Sequence, residues 1–247
     1  MSLLILWDID GTLVRGKGGR VSVTAFTRAL QQASQLEAEL VYPKNVAGKT
    51  DSQIALETLA AASLVDDAAA TVVASFGVAY LAELELVREQ LLEDLLVLPG
   101  VPELLQRLRQ LGVTQSLLTG NLEPIARLKL GLAGLDGYVD FELGAYGSDH
   151  TDRTCLVPIA RERVRQKLGY APRPSDIVIV GDTPRDIECA RAGGAHVVAV
   201  TTGTFSRGQL ESHQPDTVLD DLSDTDAVVK TLLRYSTNSE PDTALIV

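Results

Sequence analysis

The sequence predicts an α/β fold: a Rossmann-like parallel sheet core with an α-helical bundle inserted behind its first strand. Three observations predict it. The chain opens on a continuous apolar run, Leu3-Leu4-Ile5-Leu6-Trp7, of the kind buried on both faces of a parallel sheet. From Leu98-Pro99-Gly100 onward, short apolar runs alternate with helical segments, as strands joined by crossover helices do. Between these regions, residues 21–96 are rich in Ala, Leu, Gln and Glu and show no strand-like alternation.

Within the insertion, Phe26, Leu30 and Ala33 share one helical face, as do Ile54, Leu56, Leu59 and Ala60. Asp66 and Asp67 are expected to cap a long third helix running past Tyr80 towards Leu96. The core then reads as a helix from Val101 to Leu111, a strand from Thr114 to Leu118 and a helix from Glu123 to Leu130. Pro124 suits the start of that helix, where its missing N–H costs nothing. A strand is expected at Tyr138 to Leu143 and a helix at Leu156 to Leu168. Strand Ile177–Val180, helix Pro184–Ala192, strand His196–Val200 and helix Thr225–Tyr235 complete the pattern. The division is therefore a discontinuous core (1–14 and 97–235), a helical cap (15–96) and a polar, flexible tail (236–247). The Gly-rich stretch Arg15 to Arg20 reads as the hinge between core and cap.

Composition narrows the function. At 247 residues the chain can bury a sizeable core. A formal net charge of -11 argues against nucleic acid as a partner, which needs clustered Lys and Arg. No apolar run approaches the roughly 20 residues that span a bilayer, so no membrane partner is expected. Cys155 and Cys189 lack metal-type spacing and read as free thiols, and with no signal peptide legible at the N-terminus the cytoplasm is the expected location. A monomer or homodimer is expected.

Three strands end in chemistry. Asp8-Ile9-Asp10-Gly11-Thr12-Leu13 places two acids directly behind the first strand, at the carboxyl edge where open α/β sheets bind ligands. Thr119-Gly120-Asn121 closes a second strand, and Gly181-Asp182-Thr183-Pro184-Arg185-Asp186 a third. Several carboxylates in one small volume repel, and a divalent cation removes the conflict. Oxygen ligands without His or Cys favour magnesium.

These motifs, in this order, resemble those of the haloacid dehalogenase-like hydrolase superfamily, and in particular its phosphoglycolate phosphatase-like members with a helical cap. The resemblance implies a magnesium-dependent phosphatase acting on a small phosphorylated metabolite, phosphoglycolate- or sugar-phosphate-like, through an aspartyl-phosphate. Asp8 would be the nucleophile and Asp10 the general acid and base; Asp8, Asp10, Asp182 and Asp186 would hold Mg²⁺, with Asp10 contributing its backbone carbonyl. Thr119, with the N–H groups of Gly120 and Asn121, would bind the phosphoryl oxygens. The family's basic third motif departs from its usual Lys-Pro form; Arg153 stands in the right place, with Arg161 and Lys167 further along. Lys49, in Gly48-Lys49-Thr50-Asp51 at a cap helix start, is either a substrate-binding cation or an ordinary surface lysine. The segment is no P-loop, since Pro43 replaces the first glycine and no strand precedes it. A sugar phosphomutase would carry the same motifs. A haloacid dehalogenase would lack the second acid, and a non-catalytic binding protein would have no need of either.

Overall fold

The computed structural model describes residues 3–18 and 20–236. Most of the expected flexible tail, residues 237–247, lies outside the described residues, as does Gly19 of the expected hinge. Five parallel strands form the core sheet: β1 (Leu4–Trp7), β4 (Thr114–Leu117), β5 (Ile177–Gly181), β6 (His196–Val200) and β7 (Thr217–Leu219). Their spatial order is β4-β1-β5-β6-β7, so the opening strand is central and the strands carrying the other two motifs are its neighbours. Side chains alternate across the sheet as a pleat requires. Leu3, Ile5 and Trp7 face a cluster with α5 (Val101–Gln110) and α10 (Thr225–Leu233). Leu4 and Leu6 face the opposite cluster, with α7 (Leu156–Leu168) and α8 (Pro184–Gly193).

The insertion comprises α1 (Arg20–Ser34), α2 (Asp51–Ala61), α3 (Asp66–Leu86) and α4 (Arg88–Asp94). Phe26 of α1 centres its core, with ring centroids 4.7 Å from Phe76, 5.1 Å from Tyr42 and 5.3 Å from Tyr80. Edge-on pairs of this kind each contribute about 0.5–1.5 kcal/mol beyond area burial. From the core side, Ile125 and Leu128 of α6 (Glu123–Leu132) join the same cluster, while Ala126 and Leu130 of that helix face the sheet.

Several local expectations are corrected. The strand expected at 138–143 is a pair of 3-10 turns, Asp136–Tyr138 and Phe141–Leu143. Asp140 caps the second turn by accepting from Glu142 N at 3.1 Å, while its own backbone bonds Gln115 and Ser116 beside β4. The N-cap of α3 is Val65; Asp66 and Asp67 sit in the first turn, where acids complement the helix dipole. That helix stops at Leu86, because Val87 (φ -114, ψ 24) is not helical, and α4 follows. Leu95–Val97 is then a strand, β3, antiparallel to β2 (Val14–Gly16). The two connections between core and insertion thus form one ribbon, with Lys17 N and Gly18 N both bonded to Asp94 at 2.8 Å. Among the described helices, α3 is long and apolar enough to cross a membrane, by length and composition only. Small residues such as Ala70, Ala74 and Gly77 hide this from a search for large apolar side chains, and Phe76, Tyr80 and Leu84 of the same helix are buried in the cap core.

Candidate active site

The carboxyl edge of the sheet meets the cap over a cavity of about 420 Å³ lined by Asp8, Asp10, Thr119, Lys129, Arg153 and Asp182, among others. Asp8 stands immediately after β1, buried, its N–H bonded to Val180 O at 2.9 Å. Burial pushes its carboxyl up to about 7, against the opposing pull of Arg153, and Asp186 and Asp10 add to the rise. Asp182 is raised well above the usual carboxylate range by burial and by the charges of Asp8 and Asp186. One carboxylate oxygen from each of Asp8, Asp182 and Asp186 lies within 4.8 Å of the others. Asp8 and Asp182, driven towards protonation by burial and by the charges around them, lie with Asp186 in an arrangement that fits a divalent cation, which would favour their ionised forms.

The backbone around Asp182 is shaped for its side chain. Thr12 donates to Asp182 Oδ1 at 3.3 Å. Gly11 takes φ +89, and a Cβ at Gly11 or at Gly203 would collide with the Asp182 carboxylate. Asp186 is engaged differently. Its Oδ2 accepts from Thr183 N at 2.9 Å and Thr183 Oγ1 at 2.7 Å, completing the capping box of α8, and its Oδ1 accepts from Arg153. Asp186 therefore stands in the acidic cluster and orients Arg153 from there.

Arg153, in the 3-10 turn Arg153–Cys155 ahead of α7, reaches inward to Asp8. Its Nη2 donates to Asp8 Oδ1 at 2.9 Å and to Asp186, and its Nη1 donates to Gly48 O of the cap at 3.0 Å. Arg161 and Lys167, the other candidates for the basic motif, lie elsewhere: Arg161 Nε donates to Pro172 O at 2.7 Å, and Lys167 pairs with Asp140 at 2.8 Å on the surface.

Thr119 is buried at the end of the β4 segment, its N–H bonded to Ala145 O at 3.1 Å. Asn121 does more than offer its backbone. Its side-chain amide donates to Asp10 Oδ2 at 2.7 Å and to Thr119 Oγ1 at 3.0 Å. Gly120 packs so tightly against the Lys49 carbonyl that any side chain would strike it. The start of α2 is sewn to the core here. Asp51 N donates to Gly120 O at 2.7 Å, Leu122 N to Asp51 Oδ2 at 2.9 Å, and Thr50 Oγ1 to Thr151 O at 2.7 Å. The N–H groups of Lys49, Asp51 and Gln53 thus have protein acceptors, and the start of α2 is docked on the core. Lys49 lines the cavity, its ammonium paired with Glu57 at 2.5 Å.

Lys129 is the site residue that sequence reasoning missed. It lies on α6, buried, and its ammonium donates to Asp10 Oδ1 at 2.8 Å, Asp10 Oδ2 at 2.6 Å and Asn121 Oδ1 at 2.8 Å. Partial desolvation in the enclosed cleft would raise the Asp10 carboxyl, but Lys129 and Asn121 outweigh it and hold Asp10 below its ordinary value. Its signal was a lysine inside an otherwise apolar helical face, Ile125-Ala126-Leu128-Leu130.

A parallel sheet with helices on both faces, acids at its carboxyl edge and an inserted helical lid defines a capped Rossmann-like α/β protein with an acidic site. The model for haloacid dehalogenase-like hydrolases matches residues 3–194, and the chain belongs to that family. It is 28% identical over 244 residues to the probable phosphatase IndB of Dickeya dadantii, covering 96% of this chain and 98% of that protein. It is 28% identical over 228 residues to a phosphoglycolate phosphatase of Pseudomonas putida, covering 89% of this chain and 76% of the relative. In fold it is similar to a β-phosphoglucomutase from Clostridium difficile, with a TM-score of 0.66 at 15% identity over 95% of this chain and 98% of the other.

Proposed function

We propose that this hydrolase is a magnesium-dependent phosphatase acting on a small phosphate monoester, phosphoglycolate- or sugar-phosphate-like, through an aspartyl-phosphate on Asp8. The observation that carries the reading is the buried Asp8 carboxylate, fixed by Arg153 beneath the cap and beside a second, differently held acid. Phosphatase-named relatives along nearly the whole chain support it.

In this reading Asp8 Oδ attacks phosphorus and the bond to the leaving oxygen breaks, with Asp10, which takes up a proton as the phosphate dianion enters the cleft, giving that oxygen its proton. Water then attacks the phosphoryl group, passing a proton to Asp10 as the bond to Asp8 breaks. Thr119 Oγ1 and Arg153 face the charge that builds on the phosphoryl oxygens. Asp8, Asp182 and Asp186, with the Asp10 carbonyl, would hold Mg²⁺, and Asp186 also fixes Arg153. The cation would supply charge neutralisation among the acids and on the phosphoryl oxygens. The cap excludes water and selects the leaving group, with Lys49 on its wall. The two unpaired cysteines support a cytoplasmic location.

A panel of phosphate monoesters assayed with magnesium and with excess chelator tests the reading. Magnesium-dependent release of inorganic phosphate from one compact ester supports it. Phosphate passed to a sugar phosphate rather than to water would make the protein a phosphomutase, and no turnover on any ester would end both readings.

A further inference from the structure

We infer that Lys129 is a positioning residue for Asp10: it fixes the carboxylate on the leaving-group side of the cleft and so sets how strongly the rate depends on the leaving group. The inference rests on the proposed role of Asp10 as acid and base.

The environment of Lys129 is unusual for a helical lysine, which normally carries its ammonium out to water. On α6, Ala126 and Leu130 pack into the sheet core while Ile125 and Leu128 pack into the cap core. Lys129 points between them, its side chain 8% exposed, whereas that of Asp10 is 49% exposed. The asymmetry identifies the anchor. The lysine is immobilised by its helix and by burial, and the freer carboxylate is tied to it.

An ammonium has three donors, and here all are committed: two to the two oxygens of Asp10 and one to Asn121 Oδ1. Lys129 has therefore no donor left for a substrate anion. Asn121, oriented by that third bond, returns its amide to Asp10 Oδ2 and to Thr119 Oγ1. Thr119, Asn121, Asp10 and Lys129 thus form one chain of contacts from the expected phosphoryl-binding hydroxyl to the acid–base carboxylate. Held through both oxygens, Asp10 cannot rotate about its side-chain bonds without breaking two charge-assisted bonds. Misplacement of a reacting group by about 1 Å can cost about 100-fold in rate.

The test compares Lys129→Met and Lys129→Gln with the unaltered full-length protein, using an alkyl phosphate and the activated ester p-nitrophenyl phosphate with magnesium. The alkyl leaving group needs a proton from Asp10, and nitrophenolate needs much less help. The expected result is a loss in kcat of about 100-fold on the alkyl ester and under about 10-fold on the aryl ester, with KM little changed. In an Asp10→Asn background, Lys129→Met should add less than about 2-fold, because the two residues act as one unit. Equal losses on both esters, full additivity with Asp10→Asn, or a change confined to KM would overturn the inference. A crystal structure of Lys129→Met tests the same point without any turnover. Asp10 is expected to move or to occupy several rotamers, and an unmoved, single-conformer Asp10 overturns the inference even if every assay is silent. Failure of the unaltered protein to hydrolyse any ester would instead count against the proposed function.

Discussion

Gly203 gives Asp182 its place: a Cβ at position 203 would fall inside the van der Waals radius of the Asp182 carboxylate. The loop after β6 therefore closes one side of the acidic cluster with bare backbone, and Gly11 closes another at φ +89. Thr202 reinforces the arrangement by donating its hydroxyl to Gly11 O. Separate segments of chain thus shape one carboxylate, the arrangement expected where a ligand's position matters.

Gly203→Ala should consequently push Asp182 out of the cluster while leaving the sheet intact. Magnesium affinity is expected to fall about 10–100-fold, as for other changes that misplace a ligand. The stability cost should be about 1–3 kcal/mol, the usual range for overpacking. Magnesium titration by calorimetry beside urea unfolding separates the two effects, and an unchanged affinity would contradict the role given to Asp182.

Arg153→Ala removes the cation between two buried carboxylates, Asp8 and Asp186. Breaking a buried pair in this way costs about 3–5 kcal/mol, so the midpoint of denaturant unfolding should drop clearly. Under the proposed function Arg153 would face the phosphoryl group common to all esters, so turnover should fall alike on large and small ones. A loss confined to one ester would place Arg153 in selection instead.

Lys49→Ala should act in the opposite pattern. Lys49 lines the cavity from the cap and holds Glu57. Turnover of the preferred ester should fall about 10-fold more than that of p-nitrophenyl phosphate, since contacts remote from phosphorus align the leaving group. Equal losses would remove Lys49 from selection, and no loss would leave it a structural partner of Glu57.

The Asp8 carboxyl, raised from 3.8 to about 7, should make the proposed metal uptake pH-dependent. In the metal-free protein the folded state binds a proton that the unfolded chain has released, over the window from about 4 to about 7. This group's contribution to stability therefore falls as pH rises through that window. Magnesium requires the carboxylate, so its uptake at pH 6 should release protons and its affinity should climb towards pH 8. Calorimetry in buffers of different ionisation enthalpy measures the release directly. Proton-neutral uptake at pH 6 would show that Asp8 is already ionised in the metal-free protein.

Much of this was legible in the sequence, for physical reasons. Strands buried on both faces announce themselves as apolar runs, so Leu4–Trp7 and Ile177–Gly181 were readable along with the acids that follow them. Short elements were not. β2 and β3 have three residues each, too few to display a period, and they exist because the two connections to the insertion pair with one another. The helix Arg207–Glu211 was announced only by its capping pair, Ser206 and Gln209. Tyr138 to Leu143 misled because its alternation of apolar and polar residues matches a strand, while Asp140 folds the backbone into a capped turn. At the site, residues next to a motif could be found and those brought in from elsewhere could not. Lys129 is 119 positions from Asp10, and Gly203 carries no side chain to attract notice.

The central claim, covalent catalysis on Asp8, is tested most directly by acid-quenching the magnesium-loaded protein during turnover and mapping phosphorylated peptides by mass spectrometry. The Asp10→Asn variant should be run in parallel, because it should discharge the intermediate slowly. Covalent catalysis predicts a phosphoryl adduct on the peptide containing Asp8, absent in Asp8→Asn, which should also lose more than about 1000-fold in turnover. Turnover without any adduct on Asp8, or an adduct on another residue, would contradict it.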